Sequence, residues 1–122
     1  MEDPGNNAVI VTGGSTYSDT TRVYEVLDRL KPTMVIQGGA EGADHLARVW
    51  AADRAVRCLT VPADWDKHGR AAGPIRNKEM IDLGIARTIV AFPGGSGTKN
   101  CVKQALQAGL TVHEVRHEEA HD

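Results

Sequence analysis

Aromatic side chains are scarce, 4% of the 122 residues, and amount to Tyr17, Tyr24, Trp50, Trp65 and Phe92. A stacking platform for single-stranded nucleic acid needs several rings along a basic groove, and this chain supplies few. Positive charge is not in excess either. The formal net charge of −2 argues against holding nucleic acid or an anionic membrane by bulk charge, so nucleic acid is not the expected partner. Cysteine is reduced to Cys58 and Cys101, at no metal or redox spacing, which reads as two reduced thiols in a cytoplasmic protein. Apolar runs all stop short of the roughly 18 residues that span a bilayer, and the polar start MEDPGNN is no signal peptide, so no membrane partner is expected. Repeats and low-complexity linkers are missing too.

What remains is 41% hydrophobic and 25% charged, enough for one globular domain with a modest core. The expected division is a flexible terminus over 1–7, a single domain over 8–116 and a solvated tail over 117–122. Within that domain, strands alternate with helices. Ala8 to Thr12, Met34 to Ile36, Cys58 to Val61, Ile89 to Phe92 and Thr111 to Val115 read as strands. Helical spacing marks a segment capped by Asp19 or Thr20 and running to Leu30, then Gly42 to Ala55, Ile75 to Leu83, and Lys99 to Ala108 with Thr98 as N-cap. Ala63 to Pro74 is polar and glycine-punctuated and is expected to be irregular. The pattern predicts an α/β fold: a doubly wound, Rossmann-like three-layer sandwich on a mainly parallel five-stranded sheet.

Three of the predicted strands end in glycine pairs: Gly13-Gly14, Gly38-Gly39 and Gly94-Gly95. In a doubly wound sheet these lie on the carboxyl edge, where ligands bind. The stretch AFPGGSGT, Ala91 to Thr98, joins strand, glycine turn and helix start. Such a junction aims unpaired N–H groups and a positive dipole end at an anion, most often phosphate.

Four segments carry a resemblance: VTGGSTYSD, QGGAEGADHLA, PADWDKHGRAAGPIRNKEM and AFPGGSGT, in that order. Together they resemble the SLOG superfamily of Rossmann-like proteins, and within it the YspA (cpYpsA-related) branch. That superfamily includes the LOG phosphoribohydrolases, the molybdenum-cofactor carrier proteins and DprA. The resemblance implies a nucleotide or nucleotide-derived ligand, and a homo-oligomer of two or more chains. Carried over position by position, Gly94, Gly95, Ser96, Gly97 and Thr98 would hold a phosphate. Gly13, Gly14 and Ser15 would line the opposite wall, with Gly38 and Gly39 on the same edge. Arg76 and Asn77 match an R-x-x-M-like helix. The glutamate that LOG enzymes place three residues after the threonine of PGGxGT falls on Cys101. Branch relatives often carry arginine where Ser15 and Ser96 stand, which leaves Arg70, Arg76 and Lys99 as candidate cations.

Several residues keep two readings. Arg76 can clamp a phosphate bidentately or simply lie on a helix surface. Asp44 can hydrogen-bond a ribose hydroxyl or cap the helix beginning near Gly42. Trp65 can stack on a base or pack on the protein itself, while Trp50 belongs to the core or a subunit interface. Asp64 to Arg76 is expected to form a lid over the ligand. No catalytic residue is identified; Arg76, Asp44 and Glu79 are the candidates, with Glu41 more readily a solvated loop residue. The histidines show no metal-ligand spacing, and no cofactor is implied beyond the nucleotide-like ligand.

The expected function is a binding or sensing module for a nucleotide-like phosphorylated ligand. The alternatives are N-glycosidic hydrolysis of nucleoside monophosphates, as in LOG enzymes, and single-stranded nucleic-acid binding of the DprA kind.

Overall fold

The computed structural model describes residues 6–116. Five strands, β1 (Ala8–Thr12), β2 (Met34–Gln37), β3 (Arg57–Thr60), β4 (Thr88–Ala91) and β5 (Thr111–Glu114), form one sheet. Their order is β3-β2-β1-β4-β5, and every neighbouring pair is parallel. The helices are α1 (Thr20–Leu30), α2 (Ala43–Asp53), the single-turn α3 (Trp65–His68), α4 (Ala72–Asp82) and α5 (Ser96–Gln107). The doubly wound α/β architecture expected from the alternating pattern is present.

Strand alternation divides the core in two. Val9, Val11 and Val35 pack with Val23, Val26 and Leu27 of α1 and Ala47, Trp50 and Ala51 of α2. Ile10, Ile36 and Ile89 face Met80 of α4 and Cys101 and Ala105 of α5. With both faces covered, β1 is apolar at nearly every position and wholly buried. Trp50 is core rather than free surface. It is 2% exposed, and its indole Nε1 donates to Asp28 Oδ1 at 2.8 Å, where Arg54 Nε also donates at 2.9 Å.

The order of the strands places the site. β1, β2 and β3 progress outward on one side; the chain then crosses back through α4 to lay β4 on the other side of β1. The loops leaving β1 and β4 therefore depart to opposite faces, and a crevice opens between them at the carboxyl edge.

Two expectations require correction. Ala63 to Pro74 is not irregular: α3, a 3₁₀ turn at Gly69–Ala71 and the first turn of α4 occupy most of it. Asp64 begins this run, its Oδ1 accepting from Lys67 N at 3.1 Å. Pro74 does not break it, because it stands in the first turn of α4, where a missing N–H removes no helical bond. Thr98 is not the cap of α5. That helix starts at Ser96, with Gly95 at the cap position and no side-chain capping bond. Its first amides are thus left for another acceptor. The Asp19 cap holds as expected, with Oδ1 accepting from Arg22 N at 3.0 Å.

At the other terminus of its range, Asn7 is tied to Thr33 Oγ1 and to the Leu30 and Lys31 carbonyls. The expected tail over 117–122 and the first five residues of the expected terminus lie outside the described residues.

Candidate functional site

The loops after β1 and β4 meet directly. Gly14 N donates to Pro93 O at 2.9 Å, and Ala43 N donates to Gly14 O at 3.2 Å, so one short segment ties the β4 loop to the start of α2. Close approach demands glycine. A Cβ on Gly13 would stand 2.5 Å from Ala43 Cβ and 2.9 Å from Phe92 Cβ. Gly42, at φ 72°, turns under Gly14 and Ser15, where a side chain would collide with their backbone.

Gly95 and Gly97 behave differently. Beyond its chain neighbours and its own helix backbone, neither has an atom within 4 Å of where a Cβ would be. Their open side faces solvent at the N-terminus of α5, where helix dipole and free amides favour an anion.

A cleft of about 550 Å³ lies against this junction, lined by residues 14–19, Arg22, Pro93, Gly94, Gly95 and Arg116. Its size suits a small organic ligand. A second cleft of about 460 Å³ lies across Pro93 and Gly94, between α5 and the end of β5. Phe92, Thr98, Lys99, Val102, Val115 and Arg116 contribute to it. Pro93, Gly94 and Arg116 border both.

The structure brings Gly14, Ser15, Gly94 and Gly95 into the first cleft and Thr98 into the second. Gly38, Gly39, Asp44, Trp65, Arg76 and Asn77 line neither. Of these, Gly38, Asp44, Arg76 and Asn77 belong to an adjoining polar scaffold between the end of β2 and the middle of α4. Arg76 Nη1 donates to Gly38 O at 2.8 Å, and its Nε to Asn77 Oδ1 at 3.0 Å. Buried Asn77 donates through Nδ2 to Gly97 O at 3.3 Å and Asn100 Oδ1 at 3.2 Å, bracing the first turns of α5. Asn100 also accepts from Gln104 Nε2 at 2.7 Å.

Asp44 is 6% exposed, and its Oδ2 accepts from Gly38 N and Ala40 N, both at 3.2 Å. It organises the loop after β2 rather than capping its own helix, which has no side-chain cap. Burial pushes its carboxyl above the ordinary value, against the lowering effect of those amides and of Arg76. Cys101 is fully buried, and desolvation pushes its thiol up to about 11, although Thr12 hydrogen-bonds it and Arg76 lies near. A thiol in that state is neither a nucleophile nor an acid–base group at neutral pH.

Trp65 is 58% exposed, and its ring tip lies 3.5 Å from the position of a Cβ on Gly73. The segment expected as a lid is thus largely helical, with Ala72 and Gly73 buried. Glu41 and Glu79 are exposed. Among the described residues, no group of three His, Cys, Asp or Glu side chains is placed to hold a metal ion.

Among the lining residues that escaped the sequence reading are two cations, Arg22 and Arg116. The available signal was positional. Arg22 lies in the first turn after the β1 glycine loop, and Arg116 follows β5, so both stand at the carboxyl edge of the sheet.

The fold has a recognisable counterpart among solved structures, and the sequence has relatives. The structure is similar to that of DNA processing protein A (DprA) from Streptococcus pneumoniae, with a TM-score of 0.74 at 18% identity. The superposition covers 92% of this chain and 51% of that one, so this chain spans about half of that DprA chain's length and shares its fold. In sequence it is 38% identical to the Gene 61 protein of Mycobacterium phage D29 over 116 aligned residues, covering 85% of this chain and 92% of that protein. Residues 7–68 match the YAcAr family, described as the YspA, cpYpsA-related SLOG family. This glycine-edged, doubly wound chain belongs to the YspA, cpYpsA-related SLOG family.

Proposed function

We propose that this protein binds a nucleotide or nucleotide-derived phosphorylated ligand at the carboxyl edge of its sheet, as a binding or sensing module. The observation that carries the reading is the junction of Gly14, Gly94 and Gly95 with an uncapped α5, beside a cleft of about 550 Å³. A phosphate accepts from the first amides of α5, and the open sides of Gly95 and Gly97 admit it to backbone distance. Arg76, Asn77 and Asp44 act at one remove, fixing the loop after β2 and the start of α5.

Binding is favoured over turnover because the position that carries a glutamate in LOG enzymes holds the buried, protonated thiol of Cys101. Cleavage of an N-glycosidic bond calls for a carboxylate beside the sugar.

The test is calorimetry and thermal shift with nucleoside mono- and diphosphates, on the wild type and on Gly95→Val. The wild type is stabilised by at least one of them, and Gly95→Val, whose side chain fills open space, loses the stabilisation. Equal shifts in both proteins defeat the reading. Release of free base during the incubation would point to the hydrolase alternative, and salt-dependent retention of single-stranded DNA to the nucleic-acid one.

A further inference from the structure

We infer that Arg22 and Arg116 form a second anion-holding pair in the first cleft, so that its ligand carries two linked anionic groups, as a diphosphate does. The inference rests on the phosphate reading of α5 given above and extends it.

Both arginines line the same cleft as Ser15, Gly94 and Gly95. They reach it from separate elements, Arg22 from the first turn of α1 and Arg116 from the residue pair after β5. Arg22 Nε is buried without a hydrogen-bond partner among the described residues. A guanidinium N–H withdrawn from water and given no acceptor is costly, and an anion in the cleft supplies the acceptor.

The charge balance agrees. Among the described residues the ion pairs involve Arg54 and Lys78, and neither Arg22 nor Arg116 takes part in one. Among the described residues, Asp19 is the sole carboxylate lining the cleft, and its Oδ1 already accepts from the Arg22 backbone amide. The described lining of the cleft is therefore positive, on a chain whose formal net charge is −2.

The division of labour is then geometric. One anionic group sits on the first amides of α5, beside Gly95. The second lies toward α1 and is held by Arg22 and Arg116, whose planar forks suit phosphate oxygens. Ser15, Thr16 and Ser18 line the same wall and offer hydroxyl donors.

Inorganic phosphate and inorganic pyrophosphate test this without assuming a base. Calorimetry at fixed ionic strength is run on the wild type, Arg22→Gln, Arg116→Gln, Arg22→Lys and Gly95→Val. The wild type binds pyrophosphate about tenfold or more tighter than phosphate. Each glutamine variant loses most of that preference and keeps its phosphate affinity, Arg22→Lys retains part of it, and Gly95→Val weakens both probes. Arg116 is exposed, so its variant keeps the wild-type melting temperature and guards against a folding artefact at Arg22. An unchanged pyrophosphate preference in both glutamine variants overturns the inference while leaving the α5 reading intact. Weakened binding in the arginine variants with none in Gly95→Val overturns the α5 reading, and the two-site form falls with it. If the wild type binds neither probe, both fall.

Discussion

Gly14 donates its amide to the carbonyl of Pro93 at 2.9 Å, which joins the loops of the two central strands across the point where strand order reverses. Through that bond the wall that follows β1 and the glycine turn that follows β4 are held as one surface. The crevice of a doubly wound sheet is usually open at this point. Here its floor is backbone, and glycine makes the contact possible.

Neighbouring glycines in that floor have unequal duties. A Cβ at Gly94 would lie 2.6 Å from Gly14 N and 2.9 Å from Thr98 Cβ, whereas one at Gly95 meets nothing within 4 Å. Gly94→Ala is expected to destabilise the fold by about 1–3 kcal/mol. Gly95→Ala is expected to stay within about 0.5 kcal/mol of wild type. Urea unfolding of the two variants decides; equal stabilities would show that the loop after β4 is not packed against Gly14.

Asp44 secures the β2 loop from the inside. Asp44→Ala leaves the Gly38 and Ala40 amides without their acceptor and is expected to cost about 1–3 kcal/mol. Asp44→Asn keeps an acceptor oxygen and loses less. The pH dependence has a definite sign. Burial raises the folded carboxyl above its ordinary value of 3.8, so between 3.8 and the raised value the folded chain holds a proton that the unfolded chain has released. This group's contribution to stability is greatest below 3.8 and declines as pH rises through the raised value. Asp44→Asn removes that part of the slope. Parallel melting curves for the two proteins from pH 3 upward would contradict the assignment.

The two thiols differ in environment and so in reactivity. Cys58 is exposed on the edge strand β3, and Cys101 is fully buried with its thiol pushed up to about 11. A thiol reagent at pH 8 is expected to label one cysteine per native chain promptly and the second only in denaturant. Peptide mapping identifies the site. Prompt labelling at Cys101 would mean that α5 opens readily from the sheet.

A strained helix end offers a stabilising change. Val56 N donates to Ala51 O at 2.8 Å and Ala55 N to Ala52 O at 3.4 Å, which closes α2 in a Schellman motif with Ala55 at φ 55°. Helix α5 ends the same way, with Leu110 N on Ala105 O and Gly109 on Leu106 O, but there the left-handed residue is glycine at φ 83°. Ala55→Gly relieves the left-handed strain at some cost in unfolded-chain entropy, and a net gain of about 0.5–1 kcal/mol is expected. A lowered denaturation midpoint would refute the reading of this turn.

Local chemistry made much of this protein legible in its sequence. Apolar runs that stop at glycine pairs marked β1, β2 and β4, and a buried parallel sheet requires such runs because both faces are covered. Asp19 capped α1 as its residue type suggested, and the strand–PGG–helix junction is recognisable from glycine and proline alone. The sequence reading failed where two local signals conflicted. Gly69, Gly73 and Pro74 suggested an irregular stretch, yet Asp64 starts a helical run there and Pro74 sits where a helix tolerates it.

Other features depended on the tertiary arrangement. Asp44 binds the amides of the preceding loop, Arg76 reaches Gly38 O, and Arg22 and Arg116 share one cleft, although each pairing spans a different sequence distance. The strand order β3-β2-β1-β4-β5 brings them together. Periodicity reports which face of an element is buried, because burial acts residue by residue along the chain. Which elements become neighbours is decided by the packing of the whole sheet, so the sequence alone determined the layers and the glycine edge, and the tertiary structure determined which charges face the cleft.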